Sequence, residues 1–281
     1  MKSKVSAAVS ALVSVLMVFA IIGSAGVIFA DRIYTPEFFT EQVERSDTYV
    51  NAYNSLMKGF EDNYSVSDIP SEVYEKAFSA EWMRDAVNEK IRSAFEGREA
   101  DIDMSAAEES ITEYFEEYAR ENHVMKDETY EKKLAESVTW AKKTALNAAD
   151  VYRFDVMEKA GIRGKLSSYA DLARKCIWTC IGCAAVLLIV LILLRQPVYW
   201  TGTALFAAGL LMSIPAAAVL LTGMIQRFSV KEYTTYNLVT VFLGNVTDMV
   251  MITGVVMAAV GAALIVTGIV IGQRRISDKK N

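Results

Sequence analysis

This chain has few of the side chains that perform chemistry. It holds one histidine, His123, and three cysteines, Cys176, Cys180 and Cys183, all in a single apolar run. One histidine and clustered thiols cannot assemble an ordinary zinc site. Cysteines at i, i+4 and i+7 share a helix face but cannot pair within disulfide geometry. They are expected as small apolar groups at a helix contact. No Gly-rich phosphate loop ending in Gly-Lys-Ser/Thr is present. Gly23-Ser24-Ala25-Gly26 has the outline of an intramembrane serine nucleophile, but no histidine lies in an apolar run to act as its base. Asp101-Ile102-Asp103 lacks the glycine and later glutamate of a calcium loop. The expectation is therefore no enzyme, no cofactor and no metal.

Charge is missing from four long stretches, roughly Val5–Ala30, Cys176–Leu194, Tyr199–Met224 and Met249–Gly272. None contains Asp, Glu, Lys, Arg or His. A bilayer core about 30 Å thick needs about 20 apolar residues in a helix. Backbone groups left unpaired in lipid are costly, so each run must be helical. The reading is an all-α, four-pass membrane protein in contact with the lipid bilayer. Ion and proton pathways normally show an ionisable residue within the spans, so a channel or secondary transporter is not expected.

What is present is a large acidic segment. Residues 31–175 carry 31 acidic and 20 basic side chains, a net of −11, and the remainder of the chain nets +6. That balance argues against nucleic acid, which needs a basic footprint. The basic residues beside the spans set an orientation. Lys2 and Lys4 precede the first span, Arg195 lies between the second and third, and Arg274, Arg275, Lys279 and Lys280 follow the fourth. The expected layout is a cytoplasmic N-terminus at 1–4, spans at 5–30, 176–194, 199–224 and 249–272, an inner loop at 195–198 and a cytoplasmic basic tail at 273–281. Residues 31–175 and 225–248 are then extracytoplasmic, with a helical bundle inserted between spans one and two. The first run is read as an uncleaved anchor, because a signal h-region is about 7–15 residues. Cleavage there would leave three spans.

The acidic domain reads as helical throughout. Thr35-Pro36-Glu37 starts a helix, and Ser46-Asp47 interrupts it. Asn63–Ile69 is a loop ending at Pro70, and Ser71–Phe78 is a short helix. Ser79 caps the next, which stops at Gly97. Arg98–Asp103 is a charged turn. Ser105-Ala106-Ala107-Glu108 fits a capping box, and Asn122–Asp127 is a further turn. Leu134, Val138, Ala141, Ala145, Ala148 and Tyr152 form a heptad seam on the longest helix. Gly161 and Gly164 break or bend the chain before the second span. Segment 225–248 carries Leu238, Val239, Phe242, Leu243 and Val246 on one face, an amphipathic helix lying on the membrane or docked on the acidic domain.

Two sets of residues are functional candidates. Glu109, Glu113, Glu116 and Glu117 cluster on one helix opposite its aromatic side, as a partner-binding face. Gly254, Ala258, Gly261, Gly268 and Gly272 make a small-residue face on the fourth span, for packing within the bundle or for a dimer seam.

Pro36-Glu37-Phe38-Phe39, Ser46-Asp47-Thr48-Tyr49, Ile69-Pro70-Ser71 and Ser79-Ala80-Glu81-Trp82-Met83-Arg84, with the Gly-rich last span and basic tail, resemble a group of uncharacterised bacterial four-pass membrane proteins with a helical extracytoplasmic domain. The resemblance implies architecture and a bacterial cell membrane; it brings no activity or site residues. The layout is also similar to that of ABC-type permeases of the cell-division and macrolide-exporter kind, although a four-residue inner loop is too short for a coupling helix. The expected function is a non-catalytic envelope interaction or scaffold module whose partner is another envelope protein. The alternative is an accessory subunit of a transport or export complex.

Overall fold

The computed structural model describes residues 2–64, 69–159, 163–194, 197–228 and 233–277. Among them every regular element is helical. In order these are α1 (Lys2–Ile33), α2 (Pro36–Arg45), α3 (Thr48–Asp62), α4 (Ser71–Ala77), α5 (Ala80–Glu96), α6 (Ser105–Glu121), α7 (Glu128–Ala149), α8 (Phe154–Lys159), α9 (Arg163–Leu193), α10 (Pro197–Leu221), a 3-10 turn at Ile225–Arg227 and α11 (Tyr233–Ser277). The chain divides into two compact units. One comprises 1–34, 169–229 and 240–281; the other comprises 35–168 and 230–239. Four helices are long and apolar enough to cross a membrane, over Ser6–Ile33, Asp171–Leu193, Pro197–Leu221 and Tyr233–Gln273.

In the helical unit, local chemistry sets most helix ends. The Thr35 hydroxyl accepts from Phe38 N at 3.3 Å ahead of Pro36 and Glu37, filling one of the orphan donors of a first turn. Ser46 ends α2, its hydroxyl donating to Gln42 O at 2.6 Å, and Asp47 turns the chain at φ 48°. Ser79 accepts from Trp82 N at 3.0 Å to start α5, and Gly97 ends it in the left-handed region that glycine enters without a Cβ clash. Asp127 caps α7 through Tyr130 N at 2.9 Å.

The core of this unit is aromatic. Phe60 stacks on Tyr74 with centroids 3.9 Å apart, and Trp140 meets Phe60 edge-on at 5.6 Å. Met83, Val87 and Ile91 of α5 are fully buried beside them. A second cluster joins Phe39, Phe95, Tyr152 and Phe154, and the Tyr152 hydroxyl donates to Phe39 O at 2.8 Å. Burial pushes that hydroxyl's pKa well above its ordinary value. On α7, Ala141, Ala145 and Ala149 have no more than 1% exposure, and side chains this small let neighbouring helices come close. The first turns of α11 belong here too: Asn237 donates to Ser46 O at 2.7 Å, and Leu238 is buried.

In the other unit, α1 packs on α9 and α10 through Val13, Met17, Val18, Leu191, Ala204 and Ala208. Ser14 donates to Trp200 O at 3.1 Å. Pro197 opens α10 and Pro215 lies within it. Much of the apolar part of α9 is exposed, including Trp178, Val186 and Leu193, as suits a helix facing lipid.

Several sequence expectations need correction. Ser105 is not a helix cap; it is the first residue of α6, and the Asp103 carboxylate accepts its N–H at 2.9 Å instead. Glu108 is drawn away from a capping box by Lys142 at 2.6 Å. The seam helix ends at Ala149, short of Tyr152. Asp150 stops it by accepting from Phe154 N at 2.7 Å and Asp155 N at 2.9 Å, which starts α8. Residues 233–248 are the beginning of the 45-residue α11 rather than a helix apart from the fourth span, and the first turns of that helix pack in the helical unit. Cys183 is exposed, and Cys176 and Cys180 are half-buried. Residues 65–68 of the first loop, 160–162 including Gly161, Arg195 and Gln196 of the inner loop, and 278–281 of the tail lie outside the described residues. Gly164 lies within α9.

Candidate functional site

The α6 helix carries Glu109, Glu113, Glu116 and Glu117, all exposed. The four are not equivalent. Glu116 pairs with Lys126 at 3.6 Å and Glu117 with Arg120 at 3.3 Å. Among the described residues no ion pair joins Glu109 or Glu113. Exposed pairs of this kind contribute about 0–1 kcal/mol, so the face keeps its carboxylates but only half of them stand clear.

A more shaped acidic surface lies on α5. Gly97 stops that helix, and Arg98 folds back onto Glu89 and Glu96. The Asp101 N–H donates to Glu89 at 3.3 Å, and the Trp82 indole donates to Asp103 O at 3.0 Å. The turn is thereby held against its own helix, leaving a groove of about 430 Å³ between Trp82, Asp85, Asn88, Glu89, Arg92 and residues 101–103. A second groove, of about 320 Å³, lies between α2 and α5 and shares Asn88 and Arg92 with the first. Its other wall holds Glu37, Thr40, Glu41 and Glu44. Glu41 pairs with Arg45 at 2.6 Å and Glu44 with Arg84 at 2.9 Å.

Two carboxyl groups here have altered acidity. The Arg98 guanidinium holds Glu89 below its ordinary value, helped by the Asp101 N–H. The Ser105 N–H does the same for Asp103. Both are kept ionised at neutral pH, which is the opposite of what a general acid requires. The arrangement suits electrostatic attraction of a cationic group, with the Trp82 ring as a wall it could pack on.

Sequence reasoning missed these grooves. Their signal was present as i, i+4 pairs, Glu37/Glu41 and Asp85/Glu89, but the first groove turns on the fold-back of residues 98–103 and the second on the non-local pairing of α2 with α5. His123 is exposed in the turn after α6, at φ 53°. Among the described residues no three His, Cys, Asp or Glu side chains converge as metal ligands.

The small-residue face of α11 meets α10. A Cβ built on Gly254 would lie 2.7 Å from Ser213 N, one on Gly261 2.7 Å from Phe206 Cα, and one on Gly268 2.9 Å from Tyr199 N. On the facing helix, Gly202 and Gly209 are equally tight, Gly209 against Gly254 and Ala258. Gly272 has nothing within 4 Å. The contacting glycines recur every seven residues on both helices, the period of a left-handed antiparallel pair. The α11 half of this seam is legible as a small-residue face, whereas Gly202 and Gly209 stand alone among bulkier neighbours in the sequence of α10.

No protein family, curated protein or solved structure matches the chain.

Proposed function

We propose that this chain is a non-catalytic integral membrane protein of the bacterial cell envelope, whose helical unit is an extracytoplasmic interaction or scaffold module. The observation that carries the reading is the pair of acidic grooves meeting at Asn88 and Arg92 on α5. Glu89, Asp103, Glu41 and Glu44 are held by backbone or guanidinium donors, and Glu37, Asp85 and Asp101 line the same grooves, so the walls offer negative charge to a basic surface. A net of −11 over 31–175 extends that field and predicts an encounter weakened by salt. Both termini lie in the cytoplasm in this reading, because Lys2, Lys4, Arg195 and the basic tail flank the spans on one side.

Two experiments test it. Reporter fusions after Ala100 and after Lys280 report opposite sides of the membrane; the same side for both refutes the orientation. Purification of the whole protein in mild detergent, at low and high salt, recovers a basic envelope partner at low salt. Reversal of Glu37, Asp85 and Asp101 to Lys abolishes that recovery, whereas reversal of Glu109, Glu113, Glu116 and Glu117 separates the two acidic surfaces. Full recovery with both sets reversed, or hydrolytic turnover lost on a single side-chain change, refutes the interaction reading.

A further inference from the structure

We propose that the crevice between α1 and α11 is a binding site for an anionic glycerophospholipid, its phosphate on Arg32 and one acyl chain along the apolar wall. The crevice has a volume of about 430 Å³ and is lined by Ala25, Ile28, Phe29 and Arg32 of α1 and Met249, Ile252, Thr253 and Met257 of α11. That volume lies in the usual range of ligand clefts, about 300–1,000 Å³. Arg32 is the one charged residue of the lining.

The direction of the two walls follows from contacts already described. Ser14 bonds to Trp200 O, so α1 and α10 place their N-terminal halves together. Gly202 meets Gly261 while Gly209 meets Gly254, so α10 and α11 run antiparallel. The walls α1 and α11 are therefore antiparallel, with Arg32 and Met249 at one end and Ala25 and Met257 at the other. At about 1.5 Å per residue the lined stretches are about 10–12 Å long. Half of a bilayer core is about 15 Å. The crevice thus runs from the water boundary through most of one leaflet.

The end that holds Arg32 has the marks of that boundary. Asp31 pairs with Arg174 at 3.4 Å, and Tyr34 packs on Tyr169 with centroids 6.0 Å apart. Paired charges and tyrosines belong at headgroup depth. Arg32 is exposed there, and a guanidinium matches the oxygens of a phosphate. Below it, Met249 and Met257 supply unbranched side chains that adapt to a flexible chain. Ile28 and Ile252 are 52% and 59% exposed, so the wall is open to an occupant from the lipid side. The other helix contacts of this unit differ: α1 meets α10 through buried side chains, and α10 meets α11 through glycines.

The test uses the whole protein, stripped of lipid in mild detergent and given phosphatidylglycerol or phosphatidylcholine of matched chains. Native mass spectrometry counts the lipid retained. The wild type retains phosphatidylglycerol about fivefold better, the factor expected of one basic residue near the surface. Arg32→Gln removes this preference. Ile252→Trp fills the crevice and lowers retention of both lipids, with Ile28→Trp repeating the test from the α1 wall if the first variant does not accumulate. Inorganic phosphate does not displace the lipid, since it lacks the chain. Equal retention of the two lipids by the wild type, an unchanged preference in Arg32→Gln, or unchanged retention in both tryptophan variants overturns the proposal. None of these outcomes depends on what the helical unit binds.

Discussion

Substituting Gly261 by alanine puts a methyl group where the backbone of α10 already stands. The added carbon would lie 2.7 Å from Phe206 Cα and 2.8 Å from Gly202 O, with Phe206 N nearer still. Carbon contacts are comfortable at about 3.5–4.0 Å. The obstructing atoms are main chain, so no rotamer change can clear them, and the two helices must part by about 1 Å. A gap of that size forfeits about a quarter to a half of each affected dispersion contact. Overpacking of this kind costs about 1–3 kcal/mol. Alanine also favours the helix by about 1 kcal/mol over glycine, which hides part of the loss. Gly244 and Gly272 have nothing within 4 Å on the same helix, so alanine there changes propensity alone. The expected result is that Gly261→Ala unfolds in sodium dodecyl sulfate more readily than Gly244→Ala or Gly272→Ala, by about 1–3 kcal/mol once propensity cancels. Far-UV circular dichroism from mild-detergent micelles follows the transition. Gly261→Leu falls further in the same assay. Equal midpoints for Gly261→Ala and Gly244→Ala would show that the seam yields freely, and the close-approach argument would fail.

Three further outcomes follow from the helical unit. Ala145 is fully buried, and Ala145→Arg forces an unpaired charge into the helix contact, a loss of about 3–5 kcal/mol visible as early unfolding by Trp140 fluorescence. Tyr152→Phe removes the 2.8 Å bond to Phe39 O and lowers stability by about 0.5–1.5 kcal/mol in the same measurement. Glu89 and Asp103 have folded-state pKa values below their ordinary 4.5 and 3.8. The stability they add is therefore complete above those values and is lost as pH falls through the depressed ones. In a variant retaining only Trp82, acid titration shifts the indole emission as the 98–103 turn releases it; emission that stays constant until global unfolding would contradict this.

The parts that were legible in the sequence are those decided by neighbours along the chain. Thr35-Pro36, Ser79 and Gly97 mark helix ends because a hydroxyl, a ring or an absent Cβ acts within a few residues. The four apolar runs were legible because lipid imposes one rule on each. What escaped was non-local or a contest between equals. Ser105 is a competent cap, yet Met104 holds the N-cap position without a side-chain bond, and the Asp103 carboxylate accepts the Ser105 N–H instead. The fourth apolar run starts at Met249, after the charged Asp248, yet a charged residue need not break a helix, and α11 runs through it. The groove beside Trp82 depends on how residues 98–103 fold back onto α5, and the second groove requires α2 and α5 to meet, which no window of sequence contains.

Asp47, His123 and Arg153 turn the chain with positive φ of 48°, 53° and 57°. Each holds an L side chain in the left-handed region at about 1–2 kcal/mol, somewhat less for aspartate. Glycine would relieve that strain, though part of the gain returns as extra freedom of the unfolded chain. The helical unit thus sits below the stability its own backbone allows, at three separate corners. Such corners are headroom in an evolutionary sense. A lineage pressed by heat has three independent single-residue routes to a sturdier domain that leave its core and its acidic grooves untouched.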